Sequence, residues 1–344
     1  MTISLLVSLA SVGLVAAVLS AALVFLLFPL MRRYALARPN ARSSHRVPTP
    51  QGGGIAVLAA LLLAAGAGVW VLAPGSIAVF TPAAIGAVVL ALIGAFDDIR
   101  PLPVLPRLLL QFGAVALAVA AVGEIRLFPA LLPAPVEFAL VVLAGVWFVN
   151  LVNFMDGLDW ITVAEVVPVS AALALLSLFG TLPLDAGLVA MGLCGAMLGF
   201  APFNRPVAKL FLGDVGSLPI GLILGFLLYR LAGEGHLTAA LLLPLYYLAD
   251  ATLTLLMRLR RGEKVWQAHR SHFYQRATDN GFTVMDVVGT VFVLNLVLAA
   301  LATAAVLAEG IFIPTGLLIA GLVAVAIVLA RFGRPRATVA ERRG

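Results

Sequence analysis

Apolar residues in this chain come in long unbroken runs, with no alternation and no narrow helical stripe. Eleven runs are predicted as helical spans: 3–30, 52–73, 77–96, 105–122, 138–152, 161–180, 186–202, 217–232, 237–257, 284–307 and 311–331. A helix needs about 20 apolar residues to cross the hydrocarbon core of a bilayer. Backbone groups in lipid have to be satisfied within their own segment, which favours helices. A membrane barrel would alternate apolar and polar positions, and these runs do not. Polar residues gather between the runs, in four clusters: Asp97-Asp98, Asn150 to Asp159, Phe211 to Ser217, and His269 to Tyr274. Ionisable groups at membrane depth are costly and point to function.

Composition agrees with the pattern. The 344 residues are 62% apolar and 11% charged, where a soluble domain is about a quarter charged. The expected fold is an all-α, polytopic helical bundle forming one integral-membrane domain, 1–331, with a loose basic tail, 332–344. Neither an internal repeat nor a low-complexity linker divides it. The single cysteine, Cys194, lies in an apolar run and excludes an internal disulfide. The first run is too long for a signal-peptide core and lacks a basic start, so it reads as a retained span.

Charge orients the chain. A net charge of +6 would suggest nucleic acid in a soluble protein; its distribution here points to membrane topology and no nucleic-acid partner. Of the 22 Lys and Arg, all but Arg126 and Arg230 fall in the loops 31–51, 97–107, 201–216 and 258–283 or in the tail. Such a bias places those loops in the cytoplasm. The N-terminus is then periplasmic and the C-terminus cytoplasmic, as an odd number of spans requires. The four polar clusters fall in, or at the edge of, loops on that same cytoplasmic side, although they played no part in orienting the chain.

Each cluster has a chemical reading and a plainer one. Asp97 and Asp98 repel each other unless a cation is near, and Mg²⁺–phosphate chemistry uses such carboxylates; alternatively they form a solvated helix end beside Arg100. Asn150, Asn153, Asp156 and Asp159 are spaced three apart, which would stack them on one side of a helical turn; alternatively they make an Asx-rich capping turn. In Phe211-Leu-Gly-Asp214-Val-Gly-Ser217, a glycine turn before a helix offers N–H groups to phosphate, and Asp214 could ligate Mg²⁺; an N-cap explains it too. His269, Arg270, His272 and Arg276 suit phosphate recognition, or an interfacial loop on anionic lipid; the zinc pattern His-Glu-x-x-His is absent. Pro48 to Gly54 stiffens the first loop, its glycines reading first as packing residues. His45 and Arg46 stand within reach of a phosphate there. Glu165, Asp250 and Asp286, within spans, fit a wet cavity opening inward or helix ends near water.

These motifs, in this order, resemble the polyprenyl-phosphate N-acetylhexosamine-1-phosphate transferases, which start peptidoglycan, O-antigen, teichoic acid and N-glycan lipid intermediates. The resemblance runs from about His45 to Arg276 and rests on Pro48-Thr-Pro-Gln-Gly-Gly-Gly, Asp97-Asp98, Asn153-x-x-Asp156-Gly-Leu-Asp159, Phe211-x-Gly-Asp214-x-Gly-Ser217 and the His/Arg loop. That loop, His269-Arg-Ser-His272-Phe-Tyr-Gln-Arg276, is most similar to the O-antigen initiating branch and argues against a muramoyl-pentapeptide substrate.

The resemblance implies transfer of a sugar-1-phosphate from a UDP-N-acetylhexosamine to undecaprenyl phosphate, with release of UMP, at the cytoplasmic face of a bacterial inner membrane. UDP-GlcNAc and deoxy N-acetyl sugars such as UDP-FucNAc or UDP-QuiNAc are all admissible donors, and a homodimer is compatible. It implies Mg²⁺, or Mn²⁺ in its place, on Asp214 with Asn153 as second ligand. Asp97 and Asp98 are expected at the reacting phosphates, one orienting or deprotonating the lipid phosphate. Asp159 and Asn204 are expected at the nucleoside and Phe211 stacked on uracil, with Asp156 among the substrate-binding residues. His45, His269, Arg270 and His272 are expected along the diphosphate and sugar. Two departures bear on these roles: Trp160 stands where a glycine often follows the Asp-Gly-x-Asp element, and His45 where some relatives carry lysine. The competing expectations are a transporter or lipid flippase, which would place polar groups at mid-bilayer on repeated broken helices, and a binding protein that kept the fold without the chemistry.

Overall fold

The computed structural model describes residues 2–37, 48–100, 102–123, 125–264 and 269–336. Thirteen helices account for most of them: α1 (Thr2–Tyr34), α2 (Gly53–Leu72), α3 (Ile77–Ile99), α4 (Val104–Ala121), α5 (Ala134–Met155), α6 (Ile161–Leu178), α7 (Leu184–Asn204), α8 (Asp214–Gly233), α9 (Leu237–Leu242), α10 (Leu245–Arg260), α11 (Phe273–Asp279), α12 (Val284–Leu307) and α13 (Phe312–Phe332). Among the described residues, ten helices are long and apolar enough to cross a membrane. The all-α polytopic expectation is met.

The expected span 237–257 is the exception. It is two helices, α9 and α10, broken at Leu243-Pro244. Proline has no N–H to donate, and Pro244 becomes the residue that precedes α10, its carbonyl accepting from Leu248 N at 3.0 Å. The pair still carries the chain across. α8 starts beside the end of α3, where Asp98 accepts from Asp214 N. α11, after α10, is back at that same end, where Tyr274 Oη donates to Phe154 O at 3.0 Å.

Small residues set the closest packing. Along α1 and α7, a Cβ on Gly195 would overlap Gly13 O, and one on Gly199 would overlap Ala17 O. Gly195 and Gly199 form a G-x-x-x-G pair of the kind that lets membrane helices approach backbone to backbone. The register makes α1 and α7 parallel. Since α7 ends at the end of the bundle that holds the polar clusters, α1 starts at the other. α13 ends with the clusters, where Asn280 Nδ2 donates to Phe332 O at 2.7 Å. The described termini therefore lie at opposite ends.

Both described arginines at the end remote from the clusters are matched by carboxylates. Arg126 Nε pairs with Glu137 at 2.8 Å, and Arg230 pairs with Asp185 between α7 and α8. Of the three acidic residues read as facing a wet cavity or as helix ends near water, Asp286 is such a helix end, and the two buried ones are held by protein partners. Glu165 is buried and accepts from Asn295 Nδ2 of α12 at 2.6 Å. Asp250 is buried under α11, and Asp286 forms a capping box with Thr283 at the start of α12. A buried carboxylate needs a hydrogen-bond partner whether or not water is near.

Two features lie outside the all-α pattern. β1 (Leu36–Ala37) and β2 (Thr49–Pro50) pair antiparallel and close the base of the first loop. The start of the tail is not loose: Arg336 pairs with Asp286 at 2.5 Å, and its N–H donates to Asn280 O at 2.9 Å. The rest of the tail, 337–344, lies outside the described residues.

Candidate active site

The site is built where α2, α3 and α8 meet. A Cβ on Gly54 would overlap Gly216, and one on Gly94 would overlap the Asp214–Val215 peptide. These absences of side chain bring three backbones together, so the packing reading of Gly54 holds. Residue 51 then bridges to Phe211: Phe211 N donates to Pro50 O at 2.8 Å, and Gly53 N to Phe211 O at 3.0 Å. Gly213, at φ 77°, turns the chain into α8.

Asp98 lies over that helix start. Its Oδ1 accepts from Asp214 N at 3.1 Å and its Oδ2 from Val215 N at 3.2 Å. Gln51 Nε2 holds the Asp98 carbonyl at 3.0 Å. A helix N-terminus attracts anions through its free N–H groups and its dipole. The expectation that these N–H groups face a phosphate is corrected here: the anion on Asp214 N and Val215 N is the protein's own Asp98.

Asp97 points to the other side. It accepts from Leu102 N at 2.6 Å and pairs with Arg107 Nη1 at 2.7 Å. Asp97, Arg107 and Asn153 are all electrostatic neighbours of Asp214. Asn153 Nδ2 donates to Ser217 Oγ at 2.9 Å, which pins the end of α5 to α8. The expected stack of 150, 153, 156 and 159 on one helical turn is not formed, because α5 ends at Met155. Asn150 instead faces Gln111 Oε1 at 2.7 Å inside the bundle. Asp156, just past the helix, accepts from Thr162 Oγ1 at 2.5 Å. Burial pushes its carboxyl up to about 7, aided by the charges of Asp214 and Asp159 and opposed by the Thr162 hydroxyl.

The His/Arg loop packs onto this centre from α10 and α11. Gly157 sits directly under the Tyr274 hydroxyl, with no room for a Cβ. His272 is buried at the N-cap of α11, and its ring lies 6.5 Å from that of Phe154. Asp250 organises the loop: it accepts from His272 Nδ1 at 3.2 Å, Phe273 N at 3.0 Å, Tyr274 N at 3.1 Å and Tyr246 Oη at 3.2 Å. A carboxylate on Nδ1 selects the tautomer that frees Nε2, and Nε2 of His272 is buried with no protein partner. His269 bonds Ser271 Oγ through Nδ1 at 2.9 Å, its ring 4.8 Å from His272. Arg270 turns along α11, donating to Thr278 Oγ1 at 3.1 Å and pairing with Asp279 at 3.2 Å.

Asp159 and Asn204 tie the loop between α7 and α8. Asp159 Oδ2 accepts from Ala208 N at 2.9 Å, while Asn204 accepts from Trp160 N at 2.8 Å and donates to Leu210 O at 2.9 Å. Trp160 itself adopts φ 64°. A left-handed backbone suits glycine; here a tryptophan adopts it, and its indole Nε1 donates to Ala201 O at 2.6 Å. Phe211 is half-buried at the rim. His45 and Arg46 lie outside the described residues.

Thus Asp97, Asp98, Asn153, Asp156, Asp214 and His272 converge at one end of the bundle. Arg107, Asp250 and Gln51 join them; in the sequence Arg107 stands out only as a loop charge. Among the described residues, no group of three His, Cys, Asp or Glu side chains is arranged to cage an ion. Mg²⁺ does not need one. It keeps waters, shares its shell with substrate phosphates and takes one or two protein oxygens. Asp214 with the Asn153 amide fits that requirement.

A family model described as glycosyl transferase family 4 matches residues 80–232, which hold the acidic motifs. The chain is 30% identical over 325 residues to the decaprenyl-phosphate N-acetylglucosaminephosphotransferase of Mycobacterium leprae (strain TN), across 81% of this chain and 79% of that one. It is 25% identical over 314 residues to the probable undecaprenyl-phosphate N-acetylglucosaminyl 1-phosphate transferase of Bacillus subtilis (strain 168), across 84% and 85%. A shorter similarity, 34% identity over 135 residues, joins it to the phospho-N-acetylmuramoyl-pentapeptide-transferase of Streptococcus suis (strain 05ZYH33), across 39% and 40%.

Proposed function

This chain belongs to glycosyl transferase family 4, and from that membership and the site we propose that it is a polyprenyl-phosphate N-acetylhexosamine-1-phosphate transferase. The donor is a UDP-N-acetylhexosamine, the acceptor undecaprenyl phosphate, and the released product UMP. The site faces the cytoplasm across a bacterial inner membrane, and the product starts an O-antigen or related envelope polysaccharide. The observation that carries the reading is the convergence of Asp97, Asp98, Asn153 and Asp214 beside the His272 loop at the end of the bundle that bears the basic loops. Charge distribution supports the same face: among the described residues, the Lys and Arg remote from it are Arg126 and Arg230, both neutralised by carboxylates.

An oxygen of the lipid phosphate attacks the phosphorus that carries the sugar; the bond to the UMP oxygen breaks and UMP leaves. Phosphoryl transfer is mostly positioning and charge stabilisation, and an ionised phosphate is already a nucleophile, so direct attack needs no covalent enzyme intermediate. Mg²⁺, or Mn²⁺ in its place, held by Asp214 and Asn153, supplies positive charge to the diphosphate. Arg107 receives the lipid phosphate, its Nε having no protein partner, while Asp97 holds the guanidinium in place. Asp98 positions Asp214 by capping α8. The free Nε2 of His272 faces the sugar diphosphate, with His269 beside it. Asp156, Asp159, Asn204 and Phe211 shape the nucleoside side, Asp159 and Asn204 chiefly through the loop they tie down. Arg270 acts through α11, and His45, outside the described residues, is assigned to the diphosphate by the family resemblance alone.

The test uses membranes containing the protein, undecaprenyl phosphate, Mg²⁺ and a panel of labelled UDP-N-acetylhexosamines. A lipid-linked sugar and equimolar UMP are expected, lost on chelation and lost in Asp214→Ala at unchanged protein level. Full turnover by Asp214→Ala would remove the metal assignment, and no lipid product with any donor would remove the function.

A further inference from the structure

The last span ends in a cation-rich recess that transfer chemistry leaves unused. Arg331, Arg334 and Arg336 line an open recess of about 590 Å³, with Phe282, Ile327 and Ala330 as its apolar side. Two of the guanidinium groups share one ring: Arg331 lies 5.5 Å and Arg336 5.4 Å from the Phe282 centroid. Cation–π attraction holds them there against their mutual repulsion. No carboxylate is among the described residues that line the recess. Asp286 stands beside it and neutralises Arg336. Arg331 and Arg334 are exposed and pair with no carboxylate among the described residues.

Planar guanidinium forks match phosphate oxygens, and fixed arginines lose little freedom on taking one up. Ile327 and Ala330 of the apolar wall belong to α13, so the recess opens where the lipid-facing span gives way to the polar end. We propose that this recess binds a phosphate group, the apolar wall favouring that of an anionic phospholipid over free phosphate. The same segment braces the site loop: Asn280, which ends α11, donates to Phe332 O and accepts from Arg336 N, and His272 starts α11. A filled recess therefore steadies the His272 loop. That coupling rests on the transferase reading; the binding does not.

The purified full-length protein in detergent is titrated with phosphatidylglycerol, phosphatidylcholine or inorganic phosphate, and bound adducts are read by native mass spectrometry. Phosphatidylglycerol is expected to bind more tightly than phosphatidylcholine. Arg331→Ala with Arg334→Ala lowers its affinity about 25-fold, at about fivefold per arginine, and the paired lysine variant recovers part of it. Inorganic phosphate held by wild type and lost in the double variant supports the site with a soluble source. Equal retention of both lipids with no phosphate adduct, or binding indifferent to the double variant, overturns the proposal. In nanodiscs, phosphatidylglycerol raises turnover for wild type but not for the double variant. Arginine-dependent binding with no response in turnover sinks the coupling alone.

Discussion

Replacing Asp98 separates a positioning role from a chemical one. Its two oxygens accept from Asp214 N at 3.1 Å and Val215 N at 3.2 Å. Asparagine keeps one oxygen and turns an NH₂ toward the other N–H, so one charge-assisted bond is lost, about 1.5–3 kcal/mol. Alanine loses both and leaves two N–H groups without a cap. The packing of α8 against α3 around Gly94 survives in either variant, so only part of that cost reaches the site. With 1.36 kcal/mol per factor of ten in rate, turnover is expected to fall about tenfold in Asp98→Asn and about a hundredfold or more in Asp98→Ala. The melting temperature should fall in step, by a few degrees and then by about twice that. The assay is UMP release in detergent, paired with a thermal unfolding scan of the same preparation. Asn and Ala variants that are equally inactive, each with the wild-type melting temperature, would refute this reasoning and return Asp98 to proton transfer.

Two further substitutions test the contacts that hold the site together. In Gly157→Ala the new Cβ runs into the buried Tyr274 hydroxyl, which is bonded to Phe154 O at 3.0 Å; overpacking of about 1–3 kcal/mol should lower both melting temperature and turnover. Adding Tyr274→Phe to that variant should recover part of the loss, and no recovery would show that the clash lies elsewhere. Arg107→Ala removes the partner of Asp97 and should raise the KM for undecaprenyl phosphate about tenfold, a charged contact being worth about 1.5–3 kcal/mol; an unchanged KM with reduced kcat would take Arg107 away from the acceptor.

Much of this molecule is local, and what is local was legible. Runs of some 20 apolar residues announce helices in lipid because no other backbone structure satisfies its own hydrogen bonds there. Ten of the eleven expected spans are single helices for that reason. The eleventh shows the limit. Pro29, Pro82, Pro168, Pro202 and Pro219 all sit inside unbroken helices, while Pro244 ends one. The presence of proline alone does not decide a break. The clustering of Asp97, Asn153, Asp214 and His272 could be expected because alternating spans bring every second loop to one face.

Partnership within the cluster was not legible, since several of its bonds join residues 64 to 120 positions apart and the rest depend on how those set the backbone. Asp98 and Asp97 are adjacent in sequence yet serve different ends: one caps α8, the other grips Arg107. Nothing in a dipeptide distinguishes them. Asp250 looked like any acid near the end of a span until the fold set α11 on it. The order of hydrophobic and polar residues thus determined that a membrane bundle would collect its acids and bases at one end. Which carboxylate meets a helix end, a guanidinium or an open position was decided by helix packing at Gly54, Gly94 and Gly216, because electrostatic pairing acts over a few ångströms and only the packed backbone sets those.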